Sequence, residues 1–570
     1  MSKWPDNLGL AATFDPSIAK EFGQIASAEL RALGIGTSLS PQVDLATEPR
    51  WSRISGTFGE NAALASYFSK NMIDGMQSTY TEDETSIGWG DDSVICIMKH
   101  FPGGGVGEGG RDAHMDFGKY GVYPGDNFDE QLEPFASAMQ LEDGTSQAAG
   151  MMPYYSAMYG QDPSGENLGN AFSKYIITDV LKGQLGFDGL VCTDWGISVD
   201  GWSTGFLAGA PWGVEDITDS ERIAKAWEAG THQIGIYNET SVTLDTLIGA
   251  YDVLVSDVGE EEAKALIQTA AEKTILNMMR VDLFEDPYTN PDEASEKVGN
   301  AEYMEAGYQT QVKSVVMLKN SENIIHKSDE TEEKQTVYIS GISSEAVSQY
   351  YNVTENPDEA DFAIVKIATP STSYSSGYNR ETGEYLPITL QYGEYTADLA
   401  REESIAADPG KEYIDSNTGE ILYTDHAENR SYKGKTVTAS NYSELERLQS
   451  VSEQMGDKPV IVYVNEKNPL VFTEVEPLAQ AIVVGFGISD QAVMEIISGT
   501  TEPSGLLPIQ QPANMETVET QSEDVGQDME CYIDADGNVY DFGFGLNWSG
   551  KIQDERTEKY AAAELRCILN

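Results

Sequence analysis

Residues 99–114 read KHFPGGGVGEGGRDAH, with six glycines in the eight positions from Gly103 to Gly110. Gly105, Gly107 and Gly110 fit the spacing G-x-G-x-x-G. Two folds compete for this stretch. In a doubly wound dinucleotide-binding sheet, such a loop closes a strand and opens a helix whose N-terminus meets a pyrophosphate. In a (β/α)₈ barrel, a glycine-rich loop leaves the carboxyl end of a strand and lies flat beside the ligand site. The preceding VICIMKHF is strand-like. The following GRDAHMDFGKYGVYPGDNF is dense in glycine, proline and aromatics, and carries no helix of useful length. Without that helix the glycine spacing is not a nucleotide site. The barrel reading places Lys99 and His100 at the carboxyl end of a strand, where barrel ligands bind.

Working outward, strand-like runs (AAGMMPYY, GLVCTDWG) alternate with helical segments such as PSIAKEFGQIASAELRALG, ENAALASYFSKNMIDGMQ and NAFSKYIITDVLKGQLG. That alternation implies parallel strands with crossover helices, and some 250 residues of it suits a barrel. The expected layout is a barrel domain over residues 1–285 and a linker over 286–305, where VDLFEDPYTNPDEAS breaks the pattern. A helix is expected across AGYQTQVKSVVMLKN. The runs TVYISGI, DFAIVKIA, KPVIVYVNE and QAIVVGFG then predict a second, open α/β domain over 306–570. A long polar insertion runs from about Thr369 to Asn441; a loop of that length in a compact domain is usually functional.

Composition narrows the partners. The 570 residues hold 94 acidic and 35 basic side chains, a formal charge of −59. Such a field repels nucleic-acid backbones and anionic membranes. No 18-residue apolar run predicts a membrane span, and MSKWPDNLGL lacks the charged head and apolar core of a secretory signal, so a cytoplasmic location is expected. Cys96, Cys192, Cys531 and Cys567 form no C-x-x-C pair and read as free thiols. Histidine is scarce, five in all, and no metal-ligand spacing occurs; neither metal nor cofactor is expected.

The second decisive stretch is GFDGLVCTDWG, residues 186–196. Its buried strand ends in Asp194, and an acid there points into a barrel's mouth. Taken with KHFPGGG, the D-x-H pair Asp112 and His114, and the run from LAATFDP to SGTFGE, the chain resembles glycoside hydrolase family 3. The second domain shares the resemblance through VKSVVMLKN, EPSGLLPIQQP and DFGFGLNW. It implies a TIM-like barrel followed by an α/β sandwich, and a retaining exo-acting β-glycosidase, with β-glucosidase as the first expectation. A weakly active sugar-binding protein and a β-N-acetylglucosaminidase are the alternatives.

Retaining hydrolysis needs two carboxyl groups about 5–5.5 Å apart, one ionised to attack and one protonated to release the leaving group. The resemblance makes Asp194 the nucleophile and gives Lys99, His100 and Arg53 to the sugar hydroxyls. Tyr155 would line the same subsite, and Trp195 would offer a ring face. The acid is open. Many two-domain members carry it in P-G-x-E-G, where this chain has VGFGISDQA with Ser489 at the glutamate position. The alternatives are Glu381 and Glu384 in the insertion, Asp490, and His114, which is expected otherwise to touch the sugar. Relatives also have a first barrel strand, bearing a sugar-binding aspartate, ahead of LAATFDP. The barrel is therefore expected to lack its first strand, with another segment or a second copy of the chain covering the edge.

Overall fold

The structure is a computed structural model. It describes residues 1–561 apart from 84, 200–208, 237–241, 329–332, 373–376, 380, 407–411, 415–417 and 425–428. Cys567 and parts of the polar insertion lie outside the described residues; Cys96, Cys192 and Cys531 are buried free thiols.

Five parallel strands make the first sheet: β1 (Thr37–Ser38), β2 (Ile95–Phe101), β3 (Gly150–Pro153), β4 (Leu190–Trp195) and β5 (Gln233–Gly235), in that spatial order. Alternation along β2 explains its burial on both faces. Cys96 and Met98 meet Phe68, Met72, Ile73 and Ile177 of the covering helices. Ile95 and Ile97 pack in a separate cluster with Met152, Cys192 and Val281. The helix Glu260–Arg280 reaches that cluster through Asn277, whose side chain donates to the Ala149 carbonyl at 3.4 Å.

Among the described residues this is a half barrel of five strands, fewer than the eight expected. Two physical reasons account for it. Residues 39–94 and 102–149 are spent largely on loops and on the helices Ala62–Gln77 and Phe128–Ser137. Between β5 and residue 285 the described residues form the helices Leu244–Val258 and Glu260–Arg280 and no further strand. The expected linker is also more ordered than its prolines suggest, since Asn290 caps a helix over Pro291–Lys297. The helix expected through Asn320 ends at Lys313 instead.

Val316–Asn320 is strand β6, its β-branched, fully apolar start suiting a buried sheet position. It joins β7 (Thr336–Ser340), β8 (Asn352–Thr354), β9 (Phe362–Ala368), β10 (Val460–Asn465), β11 (Ala481–Gly485), β12 (Leu546–Asn547) and β13 (Gly550–Lys551). Their spatial order is β8-β7-β9-β10-β11-β6-β12-β13.

Motifs far apart in the chain form the seam between the domains. Glu60, ending SGTFGE, accepts from the Gln510 amide of LPIQQP at 2.8 Å. Asn468, after β10, donates to the carbonyls of Pro49 and Trp51. Arg50 pairs with Glu48 at 2.7 Å and with Glu519 of the second domain at 3.0 Å, all three buried. The insertion lies on the glycine loop: Phe117 stacks on Tyr378, and Arg111 lies 4.7 Å over the Tyr385 ring.

Candidate active site

Asp194 sits where β4 ends, with its side chain 14 % exposed. Its Oδ1 accepts from the Trp195 amide at 2.7 Å and lies 2.8 Å from the Tyr155 hydroxyl, which also reaches the Trp195 carbonyl at 2.9 Å. One carboxylate oxygen is thereby held, and Oδ2 is turned toward His100 Nε2 at 3.9 Å. A strand-borne acid, fixed on one oxygen and reachable on the other, is the arrangement a nucleophile needs.

The structure brings Lys99, His100, Arg53, Tyr155 and Trp195 to this carboxylate. Lys99 and His100 precede Phe101, the last residue of β2; Lys99 pairs with Met152 of β3, and the register shifts between Lys99 and Phe101. Burial and the neighbouring Arg53 lower the pKa of Lys99, while Asp194 and Asp44 oppose that shift. Arg53 does not pair with Glu48 or Glu60. Glu48 belongs to Arg50, and Glu60 accepts from the amides of Gln510 and Gln527. Arg53 instead interacts with Tyr154, Asp44, Asp112 and Asp194. Trp195 packs part of its ring against the cluster of Ile95, Ile97 and Cys192, so its firmest contribution is through its backbone.

His114 also reaches the group. Its ring lies 4.6 Å from that of Tyr155, and its Nδ1 bonds Asp112 Oδ1. Burial opposes the charge of Asp112, but the bond and charge of His114 hold its pKa down at about 2. For the remaining acid candidates, other partners are seen. Glu381 is exposed near the turn of a short hairpin (Tyr378–Asn379 with Glu384–Tyr385), its backbone amide donating to Asn379. Glu384 is exposed and paired with Lys435 at 2.7 Å. Asp490 is committed to Lys366 at 2.7 Å and to the Ser343 amide at 2.8 Å, on a different part of the second domain.

Asp44 is the residue that sequence reasoning passed over. It lies in QVDL, between Val43 and Leu45, both fully buried, and is itself fully buried. Its carboxylate bonds His100 Nδ1 at 3.0 Å, the His100 amide at 3.2 Å and the Gly104 amide. An acid among apolar neighbours in the strand-like stretch leading to TEPRWSR was the available signal. Gly104 also answers what the glycines do. A Cβ there would lie 3.1 Å from Asp44, Trp51 and Tyr154, a tight fit, and at Gly105 it would lie 1.9 Å from the Leu45 carbonyl oxygen, so there a bare backbone is required.

No helix among the described residues is long and apolar enough to cross a membrane. Comparison with known proteins completes the picture. The family models "Glycosyl hydrolase family 3 N terminal domain" and "Glycosyl hydrolase family 3 C-terminal domain" match residues 2–275 and 295–548. Beta-glucosidase C of Emericella nidulans is 32% identical, over 96% of this chain and 75% of its own. The periplasmic beta-glucosidase/beta-xylosidase of Dickeya chrysanthemi is 29% identical, over 96% and 73%. The crystal structure of a Listeria innocua beta-glucosidase in complex with glucose shares the fold, with a TM-score of 0.68 at 17% identity over 96% and 70%. The chain belongs to glycosyl hydrolase family 3, with both of that family's domains, and is a glycoside hydrolase.

Proposed function

We propose that this chain is a retaining, exo-acting β-glucosidase that removes terminal non-reducing β-D-glucosyl residues. Asp194 attacks the anomeric carbon through Oδ2, the leaving oxygen takes a proton, and water then releases the sugar from the glycosyl–aspartate. One observation carries the reading. The Asp194 carboxylate is held on Oδ1 by Tyr155 and the Trp195 amide, leaving Oδ2 open beside Lys99, His100 and Arg53. The β-glucosidase names of its relatives support the choice of sugar. Lys99 and Arg53 supply cationic donors for hydroxyls and His100 a ring nitrogen, so a polyol is anchored while its ring distorts.

The test is trapping with a 2-deoxy-2-fluoro β-glucoside followed by peptide mapping. Label is expected on the peptide containing GLVCTDWG. Asp194→Asn should lower kcat on the order of 10⁴-fold or more. Label elsewhere, or unchanged turnover, removes Asp194 from the chemistry.

For the proton donor, contact with the Asp194 group favours His114 over Glu381. Asp112 holds Nδ1, so Nε2 is the nitrogen left to protonate the leaving oxygen. That assignment carries the second reading, a preference for N-acetyl-β-glucosaminides, and comparing the two 4-nitrophenyl glycosides decides it.

A further inference from the structure

Asp44, fully buried beside the site, has no route to the sugar of its own. Its two oxygens divide the work. Oδ1 accepts the backbone amides of His100 and Gly104, and Oδ2 faces His100 Nδ1 at 3.0 Å. Burial opposes the charge, but His100, Arg53 and the Gly104 amide hold Asp44 below the usual carboxylate range. An ionised oxygen only accepts, so Nδ1 carries the imidazole proton. Burial, with Arg53, also lowers the pKa of His100, against the pull of Asp44 and Asp194. The ring is therefore neutral, and Nε2 keeps its lone pair, 3.9 Å from Asp194 Oδ2.

We propose that Asp44 is a positioning residue: it locks His100 in the Nδ1–H tautomer, so that Nε2 accepts a hydrogen bond from a sugar hydroxyl and presents no N–H to the attacking oxygen of Asp194. The proposal rests on the reading of Asp194 above. It makes this ring nitrogen a selector, because a substrate group reaching it must be a donor.

Asp44→Asn reverses the tautomer with almost no change in shape. The amide oxygen of Asn keeps the two backbone N–H groups, and its NH₂ then donates to Nδ1. The ring must carry its proton on Nε2, aimed at Asp194 Oδ2, where a hydrogen bond occupies the lone pair that attacks. The same exchange at the orienting aspartate of the Ser-His-Asp triad lowers kcat about 10⁴-fold through the wrong tautomer.

With only five histidines in the chain, ¹⁵N-histidine spectra of the whole protein resolve the His100 ring. Wild type should show Nδ1–H at pH 7–8, with the Nε2 signal moving when glucose is added. D44N should show Nε2–H, with kcat on a β-glucoside lowered about 10²–10⁴-fold. Three results overturn the proposal: an Nε2–H ring in wild type, an unchanged ring in D44N, or a reversed ring with kcat within threefold of wild type. If D44N does not fold, the wild-type tautomer and its response to glucose decide alone. If wild type cleaves no glucoside, the functional reading falls, and the same spectra still decide the role of Asp44.

Discussion

Two fully buried carboxylates lie beyond strand ends, one in each domain, and burial has opposite results for them. Asp44 in the half barrel has two amide donors and the His100 ring nitrogen as partners, and its pKa is held below the usual carboxylate range. Glu466, directly after β10, has one: Oε1 accepts from Gln511 at 2.9 Å, and Oε2 has no partner. Burial pushes its pKa up to about 8. Desolvation alone expels charge, and donors arranged by the backbone reverse the outcome. The barrel supplies such donors because the glycine loop brings bare amides to the site. The β10 loop brings Asn468, which it spends on docking to Pro49 and Trp51.

The largest effect that sharpens this contrast concerns the proton donor. If ionisation states are set by barrel partners, His114 with Asp112 is the working pair and the exposed Glu381 is a bystander. His114→Ala should lower kcat/KM about 10²–10⁴-fold, the usual range for general acid catalysis. Glucosides with good leaving groups should suffer least, because they need least protonation. Glu381→Gln should stay within threefold. The reverse pattern, with azide restoring only the Glu381 variant, hands the role to the second-domain hairpin.

Next in size is the joint between the two regions. Arg50 carries Glu48 of the barrel and Glu519 of the second domain, and its Nη1 donates to the Tyr432 hydroxyl at 2.7 Å. Arg50→Ala removes the cation from two buried carboxylates, leaving Glu48 to Gln521 and Glu519 to the hydroxyls of Tyr395 and Tyr432, a change that costs about 3–5 kcal/mol. Calorimetry should show a lower melting temperature with the two domains beginning to separate into distinct transitions. A single transition at the wild-type temperature would mean the network contributes nothing to the coupling.

What could be read in the sequence follows the same division. Lys99, His100 and Asp194 were legible because each ends a strand whose apolar run is local. Tyr155, at the end of the run AAGMMPYY, came from the family resemblance. Asp44 was hidden because its partner His100 lies 56 residues away and no periodicity links them. Fewer strands are described than the alternation implies, because helices and long loops fill much of the sequence between them. Val316–Asn320 was misread because an amphipathic helix runs into it with no glycine or proline between them; its β-branched start was the cue to stop at Lys313. The acid resisted because loop glutamates carry no pattern. Glu381 and Glu384 look alike in sequence, and only Lys435 distinguishes Glu384.

The smallest effect tests the contrast directly, as a slope against pH. Glu466 has a folded pKa raised to about 8 from an ordinary value of 4.5. The fold therefore binds this proton more tightly than the unfolded chain does. The resulting stability is complete below pH 4.5 and drains away as pH rises toward 8. Asp44, depressed in the fold, tilts the other way: its stability is present above its ordinary value of 3.8 and is lost as pH falls through its folded value. Glu466→Gln keeps the shape and the contact with Gln511 but carries no charge at any pH. Its melting temperature should match wild type near pH 5 and exceed it by roughly 3–6 °C at pH 8.5. Glu60, also pushed up by burial to about 8, is present in both proteins and cancels in the difference. A difference that stays flat from pH 5 to 9 would mean that Glu466 finds a partner for its second oxygen in solution, and that the two domains do not treat their buried acids differently.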